Sequence, residues 1–324
     1  SASFARLAYC SAWFKCHEPA VFLAALLNSQ PMGFYAPSQL VQDARRHGIE
    51  VRPVDIRCSE WEATLQPAVL PAQAPAFPEG GPCTHRPQPA VRLGLGQIKG
   101  LSRQAGLRIE QARAQAPFRS AQDLAARAGL DRKEMNALAA ANALKALAGE
   151  RRQAQWHAAL QRPPGMLRST AITESQIPLL PPMSEGEHIV NDYRKLGLTL
   201  ERHPLALLRP RLARQRFIPA DQLLSDSWPN GRLTRACGLV TTRQRPGTAK
   251  GVVFVTIEDE TGHVNVIVRP ALSLRQHAEL VGAQLLGVYG VWQRHESVCH
   301  LVASRLVDLT HLLGDLHTRS RDFH

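Results

Sequence analysis

Gly94-Leu95-Gly96-Gln97-Ile98-Lys99-Gly100-Leu101-Ser102-Arg103-Gln104-Ala105 is the stretch that decides how this chain folds. A Gly between apolar flanks, then a Ser and a basic residue, describes a tight corner that opens a helix. Gly100 has no Cβ, so backbone N–H groups at the corner can come close to a phosphate. Lys99 and Arg103 add positive charge, and contacts of that kind position a nucleic-acid backbone without reading a base. The helix start carries no acidic side chain.

A second corner follows about thirty residues later, at Ala128-Gly129-Leu130-Asp131-Arg132-Lys133. Two glycine corners with basic helix starts form the pattern of tandem helix-hairpin-helix elements, a sequence-independent grip on DNA. Ser120 with Asp123 suits one helix start, and Asp131 with Glu134 reads as a capping box for another. The Ala-rich run Ala137 to Ala148 predicts a packed helix. The phosphate contacts expected here are Lys99, Gly100, Ser102, Arg103, Gly129, Arg132 and Lys133.

Composition agrees. The 324 residues carry a formal net charge of +12, and that length allows two or three domains with cores. From Arg92 to Lys133 nine basic residues face Glu110, Asp123 and Asp131. From Leu205 to Lys250 nine more face Asp221 and Asp226. Such an excess calls for a polyanionic partner. Nucleic acid fits better than membrane, because no basic amphipathic anchor or long apolar run is present. Six scattered cysteines form no C-x-x-C pair, so free thiols in a cytoplasmic setting are expected. There is no initiator Met, and Ser1 falls inside a helical pattern, which suggests a carboxy-terminal piece of a longer protein.

The fold class expected is multidomain α plus β: a mostly helical part, then a five-stranded OB-fold β-barrel. Helices are expected from Phe4, from Pro19 and from Pro37 to Gly48, with Tyr9, Trp13, Phe14 and Phe22 in the core. Residues 1–65 form this first part, and 66–90 a proline-rich connector. The tandem corners occupy 91–150, and a linker with a helix near Glu185 to Leu196 occupies 151–230. Residues 231–307 read as strands at Leu233–Thr242, Val252–Glu258, Val264–Arg269, Leu285–Arg294 and Val298–Leu306, with a helix over Ala271–Val281. That is the order of an OB barrel. The tail, 308–324, reads as a short helix.

OB barrels bind single strands across their second and third strands, flanked by two loops. Here the first loop runs Arg243-Gln244-Arg245-Pro246-Gly247-Thr248-Ala249-Lys250, and the last holds Arg294. Arg243, Arg245, Lys250 and Arg294 are the expected single-strand contacts, and Phe254 is the one aromatic on the expected face. The run Arg209, Arg211, Arg214 and Arg216 has near-helical spacing interrupted by Pro210.

Nucleotide transfer needs carboxylates holding metal ions, yet no Asp-x-Asp occurs. Glu258-Asp259-Glu260-Thr261-Gly262 falls where a turn must join two strands. Gly94-x-Gly96-x-x-x-Gly100 misses the dinucleotide fingerprint, and no Walker sequence or nucleophile elbow is visible. No catalytic residue, metal ligand or cofactor is assigned to this chain.

Leu27-Asn28-Ser29-Gln30-Pro31-Met32-Gly33-Phe34-Tyr35, Gln39 through Val51, Pro53-Val54-Asp55, Val91-Arg92-Leu93-Gly94-Leu95 and Ser320-Arg321-Asp322-Phe323-His324 carry a family resemblance. The chain resembles the bacterial C-family DNA polymerases, the DNA polymerase III alpha-subunit family, over nearly its whole length. The wording is closest to the error-prone, damage-induced branch. The resemblance implies a modular DNA-directed DNA polymerase whose late fingers, tandem hairpins and OB domain are present here. The palm aspartates and their Mg2+ would lie upstream, so the chain alone would bind DNA without extending a primer. Translesion synthesis during damage-induced mutagenesis is implied, with an inactive Y-family polymerase homologue and a RecA-like accessory protein as partners. Replicative relatives carry a sliding-clamp motif where this chain has Gln176-Ile177-Pro178-Leu179-Leu180, which lacks the final aromatic, so clamp contact is expected to be indirect. A non-catalytic protein-docking scaffold and the replicative alpha subunit itself are the alternatives.

Overall fold

The computed structural model describes residues 2–33, 35–68, 87–159, 181–296, 298–318 and 320–323. It divides into two compact units, Ser1–Leu200 and Glu201–His324.

The first unit opens with α1 (Ala2–His17), α2 (Pro19–Asn28) and α3 (Pro37–Arg46). Pro19 and Pro37 stand at the first helical position, where a missing N–H costs nothing. None of the four aromatics expected in the core is buried, and Phe22 is half-buried. Tyr9, Trp13 and Phe14 are 70%, 43% and 43% exposed, because α1 packs along α2 and leaves its aromatic side to solvent. Trp13 instead meets Phe14 edge-on at 5.3 Å.

A small sheet follows. β1 (Val51–Arg52), β2 (Thr64–Gln66) and β3 (Ala90–Arg92) pair with β3 in the centre, parallel to β1 and antiparallel to β2. The proline-rich passage thus leaves and returns through adjacent strands, and most of it lies outside the described residues. Residues on both sides of it share one core: Leu27, Val41 and Ile56 belong to the same buried cluster as Ile98, Ile109, Leu124 and Leu138.

Next come α4 (Arg103–Gln115), α5 (Ala121–Ala128), α6 (Arg132–Ala140), α7 (Lys145–Ala148), α8 (Arg151–Ala159) and α9 (Glu185–Lys195). The Ala-rich run is not one helix. Asn142, with φ 60°, breaks it between α6 and α7, although Ala137 through Ala141 and Ala143 are buried as expected.

The second unit begins with α10 (Pro204–Arg214) and α11 (Ala220–Leu224). Pro210 does not interrupt α10, which continues through it. The barrel strands are β4 (Leu233–Gln244), β5 (Val253–Glu258), β6 (His263–Val268), β7 (Leu285–His295) and β8 (Val298–Asp308). They pair in the order β5-β6-β8-β7-β4, and β4 also pairs with β5, which closes the barrel. A register shift at Val240/Thr242 lets β4 pair first with β7 and then with β5, since an extra residue bends a strand. Trp292, Val288, Leu301 and Val266 fill the interior.

The connecting helix is two pieces, α12 (Pro270–Arg275) and α13 (His277–Gly282). Gln276 separates them because its side-chain amide bonds the backbone of Leu306 in both directions, at 2.8 Å each. The tail forms a 3-10 turn at Thr310–Leu313 and then β9 (Arg321–Phe323), parallel to β4, in place of the expected helix.

Candidate nucleic-acid interface

The first corner is built by two different uses of glycine. Gly100 has φ +94° and open space where a Cβ would stand, so the turn itself selects glycine. A Cβ on Gly94 would come within 2.4 Å of the backbone of Trp61 and Glu62, and one on Gly96 within 3.0 Å. Those two glycines admit Trp61; they do not serve the turn. Ser102 then caps α4, its Oγ accepting from the Ala105 N–H at 3.1 Å.

The second corner is α5, Gly129 and α6. Gly129 adopts left-handed φ 58°, ψ 42° as the α5 cap. Asp131 and Glu134 form the expected capping box. Glu134 is also paired with Arg108 of α4 at 3.0 Å, and Arg108 Nε donates to the Ala128 carbonyl at 2.8 Å. The acid nearest the corner is therefore neutralised, and the same arginine ties α4 to the second corner.

Both corners open on one cleft of about 420 Å3, lined by Lys99, Gly100, Arg132, Lys133, Asn136, Ala137 and Lys195. Four cations and no carboxylate border it. Lys195 and Asn136 were not foreseen. Asn136 stands one turn after Arg132, so helical spacing points to it. Lys195 comes from α9, and nothing in its local sequence places it beside Gly100. Ser102, Arg103 and Gly129 are exposed at the corners but do not line the cleft.

α9 is held in place from two sides. The Lys99 N–H donates to the Lys195 carbonyl at 2.8 Å, and Gln97 Nε2 to the Leu196 carbonyl at 2.8 Å. On the other side, buried Arg151 of α8 pairs with buried Asp192, whose second oxygen accepts from the Thr199 hydroxyl at 2.7 Å.

In the barrel, two of the four expected contacts are otherwise engaged. Arg243 is buried, and its guanidinium donates to the carbonyls of Leu280 and Ala283 and to Ser320. Those bonds turn it toward the end of α13 and away from the loop. Arg294 is bound to Asp226 and to the carbonyls of Leu224 and Ser225, closing the segment ahead of β4 onto β7. Arg245 and Lys250 are exposed on the first loop. Phe254 is 39% exposed on the outer wall, between Gln244 and Ile267 in the register.

The acidic run Glu258 to Gly262 is a turn. Asp259 Oδ1 accepts from the N–H groups of Thr261 and Gly262 at 2.8 and 3.0 Å, and Arg209 binds Asp259 and Glu260. Among the described residues no three His, Cys, Asp or Glu side chains cluster as metal ligands. Cys10, Cys58, Cys237 and Cys299 are free thiols, but Cys16 stands in a disulfide, against the expectation that none is paired. Gln176 to Leu180 lies outside the described residues. No helix among those described is long and apolar enough to cross a membrane.

Fold and site together define a chain of two nucleic-acid-binding modules, a helix-hairpin-helix region followed by an OB-fold barrel. Residues 48–154 match the family model of the helix-hairpin-helix motif, and 235–309 that of the OB-fold nucleic acid binding domain. More particularly, the whole chain is 56% identical to the error-prone DNA polymerase of Bordetella parapertussis and 55% identical to that of Ralstonia nicotianae. It spans 30% and 29% of those proteins, and is thus a relative of part of the error-prone DNA polymerases. Among solved structures, asparaginyl-tRNA synthetase from Pyrococcus horikoshii aligns over 29% of this chain and 22% of its own, at 21% identity and a TM-score of 0.25.

Proposed function

We propose that this chain is the DNA-gripping part of an error-prone DNA polymerase acting in the cytoplasm. The convergence of both corners on one cationic cleft carries the reading. A phosphodiester seated there would meet the backbone N–H of Gly100 itself and the side chains of Lys99, Arg132, Lys133 and Lys195. None of these reads a base, so the grip is indifferent to sequence and sensitive to salt. Ser102, Arg103 and Gly129 shape the corners beside it. A single strand would cross the barrel at Phe254, with Arg245 and Lys250 beside it.

In the longer protein this part would steady the duplex while nucleotides are added opposite damage, as in translesion synthesis during damage-induced mutagenesis. The palm carboxylates and Mg2+ of that nucleotidyltransferase belong to the remainder of it, and this chain alone does not extend a primer. An inactive Y-family polymerase homologue and a RecA-like protein are the proposed partners, with the sliding clamp reached through them. The test is duplex binding by fluorescence anisotropy across a salt series. Lys99→Ala with Lys133→Ala should weaken every duplex alike and flatten the salt dependence by about 0.9 per lost contact. A double variant with the parent's affinity and slope would overturn the proposal.

A further inference from the structure

We infer that the barrel wall made by β4, β7 and β8 is a second seat for a nucleic-acid strand, centred on Arg235, Tyr289 and Arg305. The register sets these residues in a row, Arg235 opposite Tyr289 and Tyr289 opposite Arg305. Their neighbours Ala236, Val288 and Leu306 fill the interior, so alternation turns the three outward. Both guanidinium groups lie over the tyrosine ring, at 4.8 and 5.6 Å from its centre. Phe217 meets the same ring edge-on at 5.8 Å and fixes it.

Two cations on one ring repel each other unless an anion lies between or beside them. Arg235 spends an N–H on the Gln215 carbonyl at 2.9 Å. Arg305 is exposed, and its ring contact is its one interaction among the described residues. The flat faces are taken by the ring, but the N–H edges remain, and their fork suits a phosphate. Arg216, exposed between Gln215 and Phe217, adds charge at the border. The occupant is argued from β4, which carries Arg235 at one end and pairs Gln244 with Phe254 at the other. The two ends are at most about 30 Å apart along the strand, within the span of one oligonucleotide. The inference rests on the barrel being a nucleic-acid module and extends it to a wall away from β5 and β6.

The test uses the full chain and fluorescein-labelled oligothymidylates of roughly 8 and 30 nucleotides, short and long against the site size of one barrel. Arg305→Ala should weaken the long oligonucleotide about three- to tenfold and lower its salt slope by about 0.7, leaving the short one unchanged. Phe254→Ala should weaken both. Arg305→Lys should restore the slope but only part of the affinity, because it keeps the charge and loses the fork. An unchanged melting temperature checks that these exposed substitutions leave the fold intact. If Arg305→Ala binds both lengths like the parent while Phe254→Ala weakens both, the second seat is overturned and the barrel reading stands. If neither substitution changes either length, both fall. Polyglutamate binding that depends on Arg305, with the long oligonucleotide indifferent to it, would assign the wall to an acidic protein and overturn the inference.

Discussion

The backbone N–H of Lys99 donates to the carbonyl oxygen of Lys195 across 2.8 Å, joining the first glycine corner to the end of α9. The carbonyl groups at a helix C-terminus carry partial negative charge and need donors. Gln97 and Lys99 supply them, and in return Lys195 reaches the cleft. Lys195→Ala should therefore weaken duplex binding about as much as Lys99→Ala, each lowering the salt slope by about 0.9. Anisotropy titrations at several salt concentrations check this, and a parental slope in Lys195→Ala would remove α9 from the interface.

The buried pair Arg151–Asp192 gives a second expectation. Removing one partner of a buried ion pair leaves an uncompensated charge, at about 3–5 kcal/mol. Asp192→Ala should lower the midpoint of thermal unfolding and weaken duplex binding as well, because α9 would no longer be held against α8. The double change Arg151→Met with Asp192→Leu should recover most of the midpoint. Calorimetry with the same binding assay separates the two effects.

The two corner glycines should differ in what they tolerate. Gly129 sits at φ 58°, ψ 42°, a conformation asparagine accepts. Gly129→Asn should be close to neutral, whereas Gly129→Val should cost about 1–2 kcal/mol. Gly100 lies at φ +94° with empty space at the Cβ position, so Gly100→Ala fails through backbone strain and not through a clash. Urea denaturation measures the stability term, and duplex affinity reports the loss of the corner.

The barrel strands were legible in the sequence because runs rich in β-branched and aromatic residues stand between turn signals, and the corners because capping residues sit at fixed offsets from Gly100 and Gly129. The pairing of the small sheet was not legible, since strands of two and three residues leave no period to read. Nor was the fate of Arg243: a loop-adjacent arginine looks cationic in a string of letters, and only α13 behind it shows that its donors are consumed. Lys195 was hidden for the same reason, being placed by a contact that spans two corners of the chain. Trp61 explains Gly94 and Gly96, which the sequence could only count as part of a glycine-rich turn.

Arg243 and Arg245 stand two residues apart and should behave oppositely. Arg243→Ala strips donors from the buried carbonyls of Leu280 and Ala283, which should cost roughly 2–4 kcal/mol of barrel stability. Arg245→Ala touches an exposed loop and should leave the unfolding midpoint unchanged while weakening single-strand binding. Thermal melts and anisotropy on both variants make the distinction. A stable Arg243→Ala that binds poorly would return that residue to the interface.

Cys237 provides a check on the barrel interior. It is buried in β4, and burial pushes its thiol up to about 12 from an ordinary value of 9.0, with Arg209 pulling the other way. The folded state thus favours the neutral thiol, while the unfolded chain ionises near its ordinary value. The stabilisation is complete below pH 9 and falls as pH rises from there toward 12. Replacing the thiol by Cys237→Ala should flatten that alkaline decline, at the cost of a small cavity. Thiolates are the reactive form, so the exposed Cys10 and Cys58 should react with Ellman's reagent in the native protein, and Cys237 only after denaturation. Rapid native labelling of Cys237 would mean that the barrel opens far more readily than its closed strand order implies.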